Sequence, residues 1–563
     1  MVIFQFLFFY FLLYSFGRAM FQLLNLYLNN KGKSVAEKIF GFNIEFFFPV
    51  LGLFVLGNIV VVFNFFSGIN NIIFWIILIL IFAFNFLKAP KIKVNPFNIL
   101  NYILIPSILS ISTKDLGLHP DTGLYHLNYQ NWIRNEKIAA GLTNMNERFG
   151  YSSIYDFISA PLWFGDNFIL LQFVNLSFIV LFFHFLSYNL LNKNNKDLFM
   201  ASYFIILFGL LDNFGFGGGR NGFLYIEGIG KPDVAFAVIF FITNILLISS
   251  IRSKQYNNQD FLVASLLVLF SIQLRVFGIL SLFLLGYYFL ELSKYKISIT
   301  KNKIMLLIPS ILLGSLWMLK NTIISSCLFF PVEFTCIHSL SWNKFEHAEN
   351  AAYIVQDFYY GLPTEDGFVG WYNHWMSSPH NSALAKNFLL SLLIITIFRV
   401  LFFKGKLKTS LPIKIITFVF IFLNLYLWLY NAPAIRLTMG TILLCVGVLG
   451  FGNLDLRFKN RLFNLYENKI LITLIIIFCT LLTPRIYKYS DFLKNPFESY
   501  FAGVEITETV DNPRGWGVIP KEGHECEVNI NCVPYAVEVT QITSDFLNYK
   551  IFIPPEEWNK YGG

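Results

Sequence analysis

Long apolar runs dominate this chain, and short polar connections separate them. A membrane-crossing helix needs about 20 mostly apolar residues. Such runs, several of them short, cover 2–28, 44–65, 69–87, 97–112, 167–191, 198–212, 233–251, 260–274, 276–292, 304–320, 386–403, 411–430, 433–452 and 469–483. They predict an all-α membrane protein of about fourteen transmembrane helices. The stretch 260–292 is too long for one ordinary span. We divide it at Gln273–Arg275, because a charge at mid-membrane costs about 2.5–3.5 kcal/mol on insertion scales. Met1–Tyr14 carries no charge, and no small-residue cleavage site precedes Arg18. The first run is therefore expected to be a span and not a cleaved leader.

The connections carry the topology. Those at 29–43, 88–96, 192–197, 252–260, 293–303, 404–410 and 454–469 are all basic, as in Lys294, Lys296, Lys301 and Lys303 of one loop. In a fourteen-span count they all fall on one side, which basic loops mark as cytoplasmic. Residues 1–483 then form the membrane domain. Loops 113–166, 212–233 and 321–386 lie outside, in the periplasm or exterior of a bacterial inner membrane. A small outer segment, 484–563, follows.

Cysteine positions agree with that layout. Cys445 and Cys479 fall in spans, where a thiol is a small apolar group. Cys327 with Cys336 and Cys526 with Cys532 lie outside. They fit two local disulfides in an oxidising compartment, with free thiols as the alternative. Neither pair has Cys-x-x-Cys metal spacing.

Composition narrows the class further. Hydrophobic residues make up 56% of the 563 and charged residues 13%, against about 25% charged in a soluble protein. The net charge of +8 sits in clusters between apolar runs, so it marks topology and excludes a nucleic-acid face. The 66 Phe residues are lipid-facing bulk.

Candidate chemistry gathers in the first outer loop. Asp115, His119, Asp121 and His126 lie within twelve residues, just after a span. Carboxylates and imidazoles there can act as general bases on a hydroxyl or bind a divalent cation. A plainer reading makes Asp121 an N-cap of the following helix. Residues 122–136 read as an amphipathic surface helix, with Leu124, Leu127, Trp132 and Ile133 on its apolar side. Asn128, Gln130, Arg134 and Glu136 are expected to face water. Asn144 and Arg148, in the turn-rich stretch beyond, offer hydrogen bonds to a hydroxyl-rich ligand. Gly217-Gly-Gly-Arg220 lacks the spacing of a nucleotide loop. In loop 321–386, Glu365, Asp366, His374 and His380 stand near Trp371 and Trp375, which suit either sugar stacking or a membrane interface.

Several of these stretches carry a resemblance. Asp121-Thr-Gly-Leu-Tyr-His126, Trp132, Gly141-Leu-Thr-Asn144 and Arg148-Phe-Gly-Tyr-Ser-Ser153 look like a family of bacterial multi-pass proteins linked to surface-polysaccharide genes. Lys320-Asn321, Cys327-Leu-Phe-Phe-Pro331, Trp342, Ala432-Pro-Ala-Ile-Arg436, and Cys526 with Cys532-Val-Pro534 fit as well. That family is similar in layout to the GT-C glycosyltransferases, polytopic enzymes that take sugars from polyprenyl-phosphate donors. Here three spans precede the one leading into the acidic loop, where a GT-C enzyme has its first, so the match is one of layout.

The resemblance implies transfer of a sugar from a polyprenyl-phosphate-linked donor within the bilayer, with no nucleic acid involved. Asp121 is the implied catalytic base, with Asp115 second and His126 or His119 as partner. Arg275, Arg436, Lys231 and Arg220 would hold the lipid phosphate, because guanidinium forks match phosphate oxygens. Asn144, Arg148 and Asp233 would bind sugar. A polysaccharide polymerase or ligase, or a flippase for lipid-linked saccharides, is the alternative.

Overall fold

In the computed structural model, the described residues are 2–28, 38–87, 96–111, 121–163, 168–192, 195–211, 231–295, 300–344, 346–360, 367–377, 379–404, 411–431, 433–452, 455–456, 508–526, 528–534, 536–544 and 548–554. Each apolar run up to residue 452 corresponds to a helix; the last, 469–483, lies outside the described residues. Among the described residues, seven helices are long and apolar enough to cross a membrane: Val2–Leu24, Ile44–Asn64, Leu170–Leu191, Asp233–Ser253, Val276–Lys294, Met305–Ser325 and Leu411–Asn431. Five shorter apolar helices accompany them, among them Asn258–Leu274 and Ile435–Leu449. The chain is thus a helical membrane protein.

Burial ranks the helices. Every residue in the apolar window of Asp233–Ser253 is buried within the protein, while few in that of Leu411–Asn431 are. The first therefore lies at the centre of the described bundle, and the second leaves most of its apolar surface uncovered by the described residues. Close crossings help assemble the bundle. At Gly52 a Cβ would collide with the backbone of Leu13, so only glycine lets these helices approach so closely.

Two opposite ends can be distinguished. At one, which we call the Arg252 end, described residues of several basic connections meet. Arg252 Nε lies 2.9 Å from Asp197 Oδ2. The Phe40 amide donates to Asp260 Oδ1 at 2.8 Å, and the Asn43 amide donates to the Tyr188 hydroxyl at 2.9 Å. Phe403–Lys404 pairs with Asp455–Leu456 as two short antiparallel strands. The described flanks of 29–43, 192–197 and 252–260 thus come together, as do those of 404–410 and 454–469.

The other end carries the candidate chemistry. Helix Asn258–Leu274 stops where the sequence divides 260–292. Arg275 is extended, and a turn at Val276–Leu280 leads into Ser281–Tyr295. Gln273, just before that break, exchanges amide hydrogen bonds with Asn58 of helix Phe48–Asn64, at 2.9 and 3.3 Å. A buried reciprocal amide pair of this kind fixes one helix end against its neighbour. Gly278 packs so tightly on Ser271 and Ile272 that a side chain there would displace the turn.

The surface helix Leu127–Asn135 follows a π-helical turn, Thr122–His126. Its polar side does not face water as expected: Asn128 and Gln130 are buried. The C-terminal segment covers it. Asn128 donates to the Asn529 carbonyl, and Asn131 donates to the Val528 carbonyl at 2.6 Å. That segment is built from two-stranded hairpins, Thr509–Asp511 with Val518–Pro520 and Thr540–Thr543 with Lys550–Ile553. Within it the Cys526 and Cys532 sulfurs lie at disulfide distance, as do those of Cys327 and Cys336.

Candidate functional site

Charge concentrates where three helices end together. Asp233 opens helix Asp233–Ser253 directly after Pro232 and is 3% exposed. A carboxylate so buried needs charged partners. It has two: Arg275, in hydrogen-bond contact, and Arg436, whose Nε lies 3.7 Å from Asp233 Oδ2. Lys231, two residues before Asp233, is 5% exposed and points its Nζ at Asp121 Oδ2, 3.5 Å away. Three cations thus face two carboxylates. Two of them, Lys231 and Arg436, sit at helix N-termini, whose own dipoles add positive potential.

Aromatic groups set the positions of these charges. Trp375 Nε1 donates to the Pro433 carbonyl at 2.9 Å, and Trp428 Nε1 donates to the Ala434 carbonyl at 2.7 Å. Both bonds hold the backbone that leads into Arg436, so Trp375 acts here as a positioning group. Tyr125 stands in the field of Asp121, Asp156, Asp233 and Arg275. Burial first, then the carboxylates, hold its phenol above the ordinary value, so it remains a hydrogen-bond donor. Burial opposes charge on Arg275, yet the Asp233 carboxylate outweighs it and keeps the guanidinium protonated.

Asp121 opens the π-helical turn in helical conformation and makes no capping bond. The capping reading of this residue therefore does not hold, and its carboxylate faces Lys231. His126 closes the same turn. Its Nδ1 lies 2.9 Å from Asp156 Oδ1, and both side chains are buried. Asp156 also closes a capping box with Ser153 at the start of helix Ile154–Ser159. Ser153 in turn donates to the Leu274 carbonyl at 2.9 Å, tying this loop to the helix end that carries Arg275. Beside it, Lys320 Nζ lies 2.5 Å from Ser152 Oγ and 3.6 Å from the Trp317 ring centre.

Of the residues singled out in the sequence, Asp121, His126, Lys231, Asp233, Arg275 and Arg436 come together. Asn144 stands apart: it donates to the carbonyls of Trp342 (2.9 Å) and Phe552 (2.8 Å) and meets His347 Nε2 at 3.0 Å. These bonds tie three segments to one another. Arg148 neighbours Glu147 and Tyr151. Asp115, His119, Arg220, Glu365 and Asp366 lie outside the described residues. Among the described residues, no group of three or more His, Cys, Asp or Glu side chains could hold a metal ion. The sequence reading missed Asp156, Gln130 and Trp163. The Ser153-x-x-Asp156 spacing signals a capping box, but nothing local announces a contact with His126 thirty positions earlier.

A family model described as a domain of unknown function, DUF8201, matches residues 1–443. The chain belongs to the DUF8201 family. Every member of the charged cluster, from Asp121 to Arg436, falls within the stretch that DUF8201 matches, whereas the hairpins covering the surface helix lie beyond it. No curated protein matches the chain.

Proposed function

We propose that this DUF8201 protein is a membrane glycosyltransferase that takes a sugar from a polyprenyl-phosphate-linked donor, in cell-surface polysaccharide or glycolipid assembly. On this reading about fourteen spans cross a bacterial inner membrane, and the Arg275 end faces outward. One observation supports it above the others: Arg275, Arg436 and Lys231 converge on a partly open cluster beside Asp121 and His126.

The chemistry needs those parts. An acceptor hydroxyl oxygen attacks the anomeric carbon, and the bond from that carbon to the phosphate oxygen breaks. Its electron pair leaves on the polyprenyl phosphate, where Arg275 and Arg436 stabilise the growing negative charge. The hydroxyl proton passes to a base on the turn that carries Asp121 and His126. Asp233 orients both guanidiniums and is a counter-ion on this reading, in place of the sugar ligand expected from sequence. Asn144, buried and fully hydrogen-bonded, is structural on this reading in place of the sugar ligand expected from sequence, and Arg148 remains a sugar-contact candidate. A transporter path places ionisable groups near mid-membrane; this cluster sits at helix ends instead.

The test uses the purified full chain in liposomes with a polyprenyl-phosphate-linked sugar and a glycan acceptor. New glycosidic bonds and released polyprenyl phosphate are expected, and Arg275→Gln or Arg436→Gln should slow both by about 10²–10³-fold. Movement of the intact lipid-linked sugar across the bilayer, with no bond formed, would support the flippase instead.

A further inference from the structure

Four side chains behind the cluster form a chain of hydrogen bonds with only one consistent direction. Trp163 Nε1 is a donor only, and it lies 3.0 Å from Gln130 Oε1. That contact assigns the Gln130 oxygen and turns its amide nitrogen toward Asp156 Oδ1, 3.3 Å away. Asp156 therefore accepts from Gln130 through Oδ1, and it accepts from the Ser153 amide through Oδ2 at 3.2 Å. His126 Nδ1, 2.9 Å from the same Oδ1, must then supply the hydrogen. The ring is left with Nδ1 protonated and Nε2 carrying the lone pair. Among the described residues Nε2 has no partner. Tyr125 lies against the ring, tilted by 37° with centroids 4.1 Å apart, and limits its rotation.

We infer that His126 Nε2 is the proton acceptor of the transfer reaction, and that Trp163, Gln130 and Asp156 are positioning residues that fix its tautomer. The inference rests on the glycosyl-transfer reading and selects between the two bases on the turn. Asp121 is already engaged with Lys231 and orients the acceptor hydroxyl. In the step itself, the hydroxyl proton moves to Nε2 as oxygen bonds to the anomeric carbon and the lipid phosphate departs. Asp156 stabilises the resulting imidazolium, which afterwards loses its extra proton to water. The arrangement follows the general logic of a base held by a buried carboxylate, reached here from unrelated backbone positions.

Two measurements test it on the full chain in liposomes. The first is turnover. His126→Ala should lower kcat by about 10²–10⁴-fold with little change in the donor KM. Added imidazoles should restore the rate, more strongly as their basicity rises, and should fail to restore Asp156→Asn to the same extent. A purely structural role would show no such dependence on basicity. If His126→Ala does not fold, His126→Gln, a closer match in size, carries the same prediction of lost kcat. Full activity in His126→Gln would overturn the inference and leave the glycosyl-transfer reading standing, whereas no transfer by the wild type would remove both. The second is independent of activity: nitrogen NMR of labelled histidine, assigned by its loss in His126→Gln. A protonated Nδ1 with bare Nε2 is expected, and the opposite tautomer would overturn the relay.

Discussion

Arg252 and Arg275 sit at opposite ends of the bundle, and each pairs with a buried or nearly buried aspartate. At the Arg252 end the pairing is closed. Asp197 takes Arg252 at one oxygen and the Gly452 amide at the other, 3.0 Å away, and the guanidinium lies over the Phe451 ring. The Arg252 side chain is 11% exposed. At the other end Asp233 must serve two guanidiniums, whose side chains are 30% and 39% exposed. The Arg252–Asp197 pair is one cation on one carboxylate, with side chains 11% and 21% exposed. At the other end, among the described residues, three cations face two carboxylates, and both guanidiniums are more open. A bundle of this kind is stabilised by the first arrangement and can bind an anion with the second.

Removing each aspartate separates the two roles. Asp233→Ala should cost roughly 3–5 kcal/mol, because it leaves buried positive charge uncompensated. It should also abolish transfer. Asp197→Ala should cost less, about 1.5–3 kcal/mol for its charged hydrogen bonds, with transfer retained in the folded fraction. Denaturant unfolding in detergent, read beside turnover, checks both. Equal losses of activity from the two variants would erase the distinction between the ends.

A smaller effect is expected from pH, again at one end only. His347, which joins Asn144 to helix Glu346–Tyr360, is pushed by burial, and then by Lys344, down to about 3 from the ordinary 6.5. The unfolded chain therefore binds more protons than the folded one between those values. The stabilisation is complete above about pH 6.5 and is lost as the pH falls toward 3. Hydrogen exchange in 346–360 should quicken as pH is lowered through that window, after correction for intrinsic rates, while 233–253 stays protected. His347→Gln should flatten the response.

Much of this comparison was legible in the sequence. Apolar run length located the helices, because lipid demands continuous internally bonded segments. Basic connections anticipated that Asp260, Tyr188, Asp197 and Lys404 would share one end. A charge at a helix break or helix start pointed to Arg275, Arg436, Lys231 and Asp233, since a side chain there cannot travel far from the bilayer surface. The role of Asp233 was not legible, because a counter-ion and a ligand look alike until their neighbours are known. The same holds for Asn128 and Gln130. Periodicity does not say what covers a polar side chain: Asn128 meets Asn529, about four hundred positions away, while Gln130 meets Asp156 and Trp163. The His126–Asp156 contact escaped for the same reason: it is made by tertiary packing of two short elements, neither with a local signal.

The most direct measurement is a structure of the protein with a polyprenyl-phosphate analogue bound in nanodiscs. The phosphate is expected within hydrogen-bond distance of the Arg275 and Arg436 guanidiniums, with its chain leading into lipid. A phosphate bound at the Asp197–Arg252 end, or away from both arginines, would contradict the account.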